Sequence, residues 1–328
     1  MTKVRIGVVG VGYLGSHHAR ILSKLPDADF VGVLDINDDA SKRIANKYGC
    51  KSFDRNEDMA EAVDAVVVAT PTKAHCDVAS FYLERDKSVL VEKPIADSLD
   101  SAQRMIGHAR RLGVKLQVGH SERFNPAFVA VSKFINGPRF IETNRLAKFG
   151  QRGLDVDVVL DLMIHDIDLV ASCFPAEPCS ISAVGVPVLS DSVDMANARL
   201  EFPNGSVANL IASRTSLSPL RKIRLFQPDT YISADLMTHK VKMYRRTGQV
   251  DLEKPLSMMR LSTLLKSAPV RVAKFEPLAA ELEAFLKCIL NNTPEVVSGE
   301  DGLRALDWAF AIKQSIDEHF RLFAANPN

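Results

Sequence analysis

Cysteine is scarce in this chain and is not arranged for use. Five cysteines (Cys50, Cys76, Cys173, Cys179 and Cys288) are spread over 328 residues without one Cys-x-x-Cys pair. That pattern argues against a disulfide framework or a thiolate metal site and fits buried thiols in a reducing cytoplasm. Net charge is nearly absent as well, since 41 Lys and Arg face 40 Asp and Glu, leaving +1. No electrostatic footprint for nucleic acid or an anionic membrane follows from that balance. No apolar run is long enough to span a bilayer, and no internal repeat or low-complexity tract is visible. The opening residues, Met1-Thr-Lys-Val-Arg-Ile6, lead into a strand pattern rather than a signal-peptide core. With 46% hydrophobic and 25% charged residues, what remains is an ordinary globular chain, long enough for two domains.

The first third alternates strand and helix signals. Apolar runs at Val4–Val9, Phe30–Leu34, Ala65–Ala69, Val89–Val91 and Leu116–Val118 are separated by helical stretches near 16–25, 39–48 and 73–85 and by a helix capped by Ser98 and stopped at Gly113. Such spacing builds βαβ units and a parallel sheet. After residue 120 the pattern changes. A very apolar helix-like segment covers about 156–174. Strand signals follow at 180–188, 197–202, 206–213, 222–226, 231–235 and 240–245, with turns at Pro203-Asn204-Gly205 and Thr247-Gly248, and two helices follow near 277–291 and 299–320. Consecutive strands joined by short turns predict an antiparallel sheet. The expected division is therefore residues 1–120 for one domain and 121–328 for the other.

Gly10-x-Gly12-x-x-Gly15 directly follows the first strand and opens a helix, and Asp35 ends the next strand. A glycine triplet alone is a weak signal; this context makes it a dinucleotide fingerprint. Gly10 permits the turn, Gly12 lets backbone approach a pyrophosphate, and Gly15 lets helix and strand pack closely. The phosphates then meet free amides at a helix N-terminus. Asp35 would accept from ribose hydroxyls and repel a 2′-phosphate, and Ile36-Asn37 supplies no arginine, so NAD is expected over NADP. The class is thus α/β, with an N-terminal doubly wound parallel sheet of the Rossmann kind.

Val89-Leu-Val-Glu92-Lys93-Pro94 ends a buried strand in an acid, a lysine and a proline. Lys93 is set at the carboxyl edge of the sheet, where open α/β folds bind ligands. In the later segment Asp161 and His165 are four apart, so on a regular helix they share a face. A histidine has the pKa of a general base near neutrality, and a carboxylate beside it steadies the imidazolium. Lys93 would hydrogen-bond the same reacting oxygen. A solvated surface lysine and a core histidine are the plain alternatives. A metal site from His165, Asp166 and Asp168 is disfavoured because no further histidine lies at ligand spacing, and no metal is expected.

These motifs together resemble the glucose-fructose oxidoreductase / inositol dehydrogenase / rhizopine-catabolism (Gfo/Idh/MocA) family. The likeness also covers Ala69-Thr-Pro-Thr-x-x-His75 and Ser298-Gly-Glu-Asp-Gly-Leu-Arg304. It implies a second α+β domain with an open, mostly antiparallel sheet and NAD-dependent oxidation of a sugar or polyol hydroxyl. It also implies Lys93, Asp161 and His165 as catalytic residues. Cofactor contacts implied are Gly10, Gly12, Tyr13, Leu14, Gly15, Asp35, Thr70, Pro71, His75, Glu92 and Lys93; for His75 a helix-start packing role is an equal alternative. His17 and His18 read as helix surface.

Within the family, three segments resemble the branch acting on UDP-N-acetylglucosamine: Val118–Ala127, Asp155–Asp168 and Ala212–Arg224. Arg123, Asn125 and Arg214 are the expected substrate contacts, the first two with a domain hinge as their alternative. Arg221, Lys222 and Arg224 add charge suited to a diphosphate; the solvent face of a strand is the competing reading. Under this resemblance the sugar 3-hydroxyl becomes a 3-keto group, and an aminotransferase consumes the product toward lipid A. The partner is then a nucleotide sugar, with neither nucleic acid nor membrane, in a homodimer or homotetramer that covers the open sheet. Other readings are an inositol-type polyol dehydrogenase, a non-catalytic NAD-bound regulator, and an imine or pigment reductase.

Overall fold

The computed structural model describes residues 3–150, 156–248 and 264–325, so Asp155, part of one quoted segment, lies outside the described residues. The chain divides into two units, Met1–Phe124 with Phe275–Asp307, and Asn125–Lys274 with Trp308–Asn328.

The first unit is built on six parallel strands: β1 (Val4–Val9), β2 (Ala28–Leu34), β3 (Lys51–Phe53), β4 (Ala65–Val68), β5 (Ser88–Glu92) and β6 (Leu116–Gly119). Their order is β3-β2-β1-β4-β5-β6. Helices α1 (Tyr13–Leu22), α2 (Asp38–Tyr48), α3 (Asn56–Ala62), α4 (Thr72–Leu83) and α5 (Leu99–Leu112) connect them. Every residue of β4, β5 and β6 is buried, as continuous apolar runs covered on both faces require. Helix boundaries follow local chemistry. Asn37 and Ser98 accept amide hydrogen bonds at the starts of α2 and α5, and left-handed Gly49 and Gly113 end them. The strand order reverses between β1 and β4, which places the ligand crevice outside their carboxyl ends.

The boundary read from sequence left residues after 120 to the second domain, but Phe275–Asp307 packs with the first unit. The reason is apolar burial. Helix α8 (Pro277–Asn291) sinks Leu282, Phe285 and Leu286 into the cluster formed by Val4, Ile6, Val8, Ala19 and Leu22. Each such side chain contributes about 1.5–3 kcal/mol by leaving water. Backbone contacts add to this, with Val118 donating to Val297 (3.0 Å) and Gln117 bridging Ser298.

The second unit carries an eight-stranded sheet in the order β14-β13-β12-β11-β7-β10-β9-β8. The strands are β7 (Phe140–Leu146), β8 (Ser180–Val186), β9 (Met195–Glu201), β10 (Val207–Ser213), β11 (Leu220–Phe226), β12 (Thr230–Asp235), β13 (Lys240–Arg246) and β14 (Leu265–Ser267). All neighbours are antiparallel except β7 and β10. One face is covered, with α6 (Pro126–Ser132) over β12 and β13 and α7 (Ile164–Ala171) over β7 and β10. Ile141, Ala198, Leu210, Ile223 and Ile232 fill that side. The other face carries a cross-strand aromatic row, Phe140–Phe226–Tyr231–Tyr244, with ring centroids 5.7, 4.8 and 6.2 Å apart. The sequence pattern missed β3, α3, α6, β7 and β14. Strand β7 carries Thr143 and Arg145 at inward positions, which breaks the apolar alternation that betrays a strand.

Candidate functional site

In the first unit the candidate residues gather where β1, β4 and β5 end. Gly10 has φ +86°, and a Cβ there would lie 2.7 Å from the Ala69 carbonyl oxygen. A Cβ on Gly15 would fall 1.8 Å from the Gly10 carbonyl oxygen, whereas one on Gly12 would meet nothing within 4 Å. Two glycines are therefore required by the protein's own packing, and the third faces open space. No side chain of the described residues caps α1 at Gly12, so its amides point to that space. Tyr13 and Leu14, exposed at 61% and 40%, form the rim. This is a cradle that fits a dinucleotide pyrophosphate.

Asp35 is fixed in place. Its carboxylate accepts from the Val11 amide (2.6 Å) and the Asn37 amide (2.9 Å), and Ile36 beside it is fully exposed. The carboxylate is thereby held at the end of β2, where ribose hydroxyls would reach it. Thr70 and Pro71 follow β4, and the Thr70 hydroxyl has no hydrogen-bond partner among the described residues.

Lys93 follows β5 directly, half-buried between buried Glu92 and buried Pro94, and the Lys93–Pro94 bond is cis. Glu92 and His75, both expected at the cofactor, face the protein instead. The Glu92 carboxylate lies 2.7 Å from Nε2 of His18 and accepts weakly from the Lys93 amide (3.3 Å). Burial opposes its ionisation, but the His18 hydrogen bond and the charges of His18 and Lys93 outweigh this and hold its pKa below the ordinary carboxylate range. The His75 ring faces two carbonyl oxygens, Pro94 (Nδ1, 2.9 Å) and Thr70 (Nε2, 2.9 Å), and its tautomer decides which one it donates to. Burial lowers its pKa against the pull of those carbonyls. Burial thus favours the neutral ring, which can donate to only one of the two carbonyls at a time.

His18 is fully buried, contrary to its reading as helix surface. The signal was present: Gly15, His18, Ala19 and Leu22 make an i, i+3, i+4, i+7 stripe on α1.

Arg123 sits in a short 3-10 turn, Ser121–Phe124, 3.7 Å from Asp301. Asn125 belongs to the second unit, where its side-chain oxygen caps α6 and its amide donates to the Leu236 carbonyl (2.8 Å). Both uses are internal, so Asn125 reads as a structural cap.

Asp161 and His165 do not sit on one uniform helix. Asp161 lies in a π turn, Val159–Met163, and His165 in the first turn of α7. The wider turn alters the alignment that four-residue spacing gives in an α-helix, and such turns recur at functional sites. The turn is held at its start by Asp157, which accepts from the Val159 and Leu160 amides and pairs with Lys313 at 2.6 Å. From Met163 to Val170 every residue is buried except His165. Its neighbour Asp166 points inward to Arg145 on β7 at 2.7 Å. Removing one partner of so buried a pair costs about 3–5 kcal/mol. The pair pins the backbone that presents His165, and it withdraws Asp166 from any metal.

The structure sorts the four expected cations. Arg214 is 4% exposed and lies within an internal network: it donates to Asp194 (2.7 Å), the Val156 carbonyl (2.8 Å), Ser190 (3.1 Å) and Ser192 (2.5 Å). Asp194 in turn accepts from the amides of Val188, Leu189 and Ser190. Arg214 therefore holds the 188–194 loop and is not available for the expected substrate contact. Lys222 and Arg224 share the open face with Phe226, and Arg224 bonds Glu142 at 3.2 Å. Arg221 alone points to the helix-covered face. It is exposed and registers with Arg145, the partner of Asp166.

Comparison with known proteins agrees with this layout. Residues 4–120 match an oxidoreductase family with an NAD-binding Rossmann fold, and residues 133–227 match the GFO/IDH/MocA C-terminal domain. The chain is 35% identical to UDP-N-acetylglucosamine 3-dehydrogenase of Acidithiobacillus ferrooxidans over 97% of its own length and 98% of that protein. A solved structure of that enzyme superposes with a TM-score of 0.89, covering 97% of this chain and 99% of that one. Inositol 2-dehydrogenase of Rhizobium meliloti is 28% identical over 96% of this chain and 97% of its own.

Gly15→Ala is expected to weaken NAD binding at least tenfold by calorimetric titration, because the added methyl must displace the Gly10 carbonyl. The same substitution at Gly12, which has room, is expected to be milder. Equal affinities for both variants would contradict the assignment.

Proposed function

The chain belongs to the GFO/IDH/MocA family of NAD-binding oxidoreductases, and on that footing we propose that it oxidises the 3-hydroxyl of UDP-N-acetylglucosamine to a 3-keto sugar. The observation that carries this reading is the pairing of an exposed arginine, Arg221, with the sheet face on which α7 presents His165. Likeness to the Acidithiobacillus enzyme along the whole chain supports it.

Bound NAD supplies the hydride acceptor. The chain's own groups manage the proton and the charge. Gly10, Gly12 and Gly15 with the amides of α1 receive the pyrophosphate, and Asp35 receives the adenosine ribose. Thr70 and Pro71 line the approach beside them. His165 removes the hydroxyl proton as the base, and Asp161 steadies the imidazolium. In the first unit, Lys93 is placed at the sheet edge to donate a hydrogen bond where negative charge develops on a substrate oxygen. Arg221 provides a bidentate donor for the substrate diphosphate. Arg123, in the first unit, is a further polar contact for substrate. A 3-keto product bears the carbonyl that transamination requires, so an aminotransferase on the way to a 3-amino sugar of lipid A is the consumer this reading implies.

An inositol-type dehydrogenase is the second reading, favoured by the Rhizobium relative. Arg221 separates the two, since a free polyol offers it no anion.

We also infer a homodimer or homotetramer joined through the open sheet face. The row Phe140–Phe226–Tyr231–Tyr244, with Val184 and Val186 on the edge strand, gives that face an apolar stripe.

Initial rates with NAD and UDP-N-acetylglucosamine, followed by absorbance of the reduced cofactor with an aminotransferase drawing off product, test the activity. Lys93→Ala and His165→Ala are each expected to lose about a hundredfold or more in kcat. Arg221→Ala is expected to raise the KM for the nucleotide sugar about tenfold or more with less change in kcat. Turnover of myo-inositol without turnover of nucleotide sugars would overturn the substrate. Sedimentation velocity tests the assembly: Tyr231→Asp is expected to lower its mass to that of the monomer, and a wild-type monomer would contradict the interface.

A further inference from the structure

We propose that His18 is a positioning residue for Lys93, acting through Glu92. The two groups belong to different parts of the first unit. His18 lies on α1, the helix that opens behind the glycine loop, and Glu92 ends β5 one residue before the lysine. Their side chains meet at 2.7 Å with exposures of 0% and 8%. The Glu-Lys-Pro turn therefore does not stand on its own strand alone; it is tied to the phosphate-binding helix.

The surroundings are shaped for this contact. Gly119 on β6 is the register partner of Glu92. A Cβ at Gly119 would lie 3.0 Å from Glu92 Oε2, so any larger residue would crowd the carboxylate. After the lysine, the His75 ring packs 2.9 Å from both the Pro94 and the Thr70 carbonyl oxygens and donates to one of them. Lys93 is thus held between two buried imidazoles, one through the side chain before it and one through the carbonyl after it. A solvated strand-end lysine would need neither.

The contact also has a consequence for charge. Glu92 is the nearest acid to Lys93 in sequence, and a buried carboxylate seeks the closest cation or donor. His18 holds its Oε1 at 2.7 Å. With His18 present the carboxylate shares its charge with the imidazole; without it, that charge acts on Lys93 undivided. Loss of the imidazole should therefore raise the pKa of the lysine.

The inference rests on the reading that Lys93 meets the reacting oxygen, but its test does not require turnover. Reductive methylation of the intact protein across a pH series, read at Lys93 by peptide mass spectrometry, gives the lysine's titration midpoint. His18→Leu is expected to raise that midpoint by about half a unit or more. His18→Gln, whose amide can still donate to Glu92, is expected to stay near the parent. Glu92→Gln is expected to lower it, and in that background His18→Leu should add no further shift. An unchanged or lowered midpoint in His18→Leu, or a shift that persists beside Glu92→Gln, would overturn the proposal. Should His18→Leu fail to fold, an unchanged midpoint in Glu92→Gln would overturn it alone. A parent protein that oxidises no sugar would sink the catalytic reading of Lys93 and leave these midpoints interpretable.

Discussion

The close crossing of α1 over the exits of β1 and β4 is the constraint on which the first unit depends. A methyl group on Gly15 would stand 1.8 Å from the Gly10 carbonyl oxygen, and one on Gly10 would stand 2.7 Å from that of Ala69. Only where both side chains are absent can helix, loop and neighbouring strand converge. That convergence brings the open amides of α1, the Asp35 carboxylate and the Thr70-Pro71 turn to one sheet edge. It also fixes how deep α1 lies, and so allows His18 to reach Glu92. The cofactor cradle and the mounting of Lys93 are two results of one packing decision.

The second unit solves a different problem. Its sheet holds against one face a mostly apolar helix, α7, that also buries Asp166 and Asp168. The buried Arg145–Asp166 pair and the π turn before α7 do this, fixing the backbone while leaving His165 as the one accessible side chain from Met163 to Val170.

Much of this was legible in the sequence because the governing signals are local. The glycine fingerprint with Asp35, the Ser98 and Gly113 caps, and the alternating strands from Ser180 to Arg246 all carry their meaning within a few residues. Long-range partners were not legible. Nothing near Arg214 in sequence announces that Asp194 will neutralise it, and nothing near Glu92 announces His18, 74 residues away. The helix at 277–291 looked like part of the second domain because chain order is the only proximity a sequence displays. Its apolar face settles against β1 all the same. The π turn escaped because a single widened turn leaves the apolar periodicity almost unchanged.

The three cations at 221, 222 and 224 illustrate the step from pattern to chemistry. Pattern alone made them one cluster; register divides them, sending Arg221 to the face of α7 and its neighbours to the open face. The central claim, hydride removal from the sugar C3 of a nucleotide substrate, is tested most directly by isotope transfer. UDP-N-acetylglucosamine deuterated at C3 is incubated with the protein and NAD, and the reduced cofactor is examined by mass spectrometry. The account predicts one deuterium carried into the reduced nicotinamide. Reduced cofactor without deuterium, or none formed at all, would contradict it.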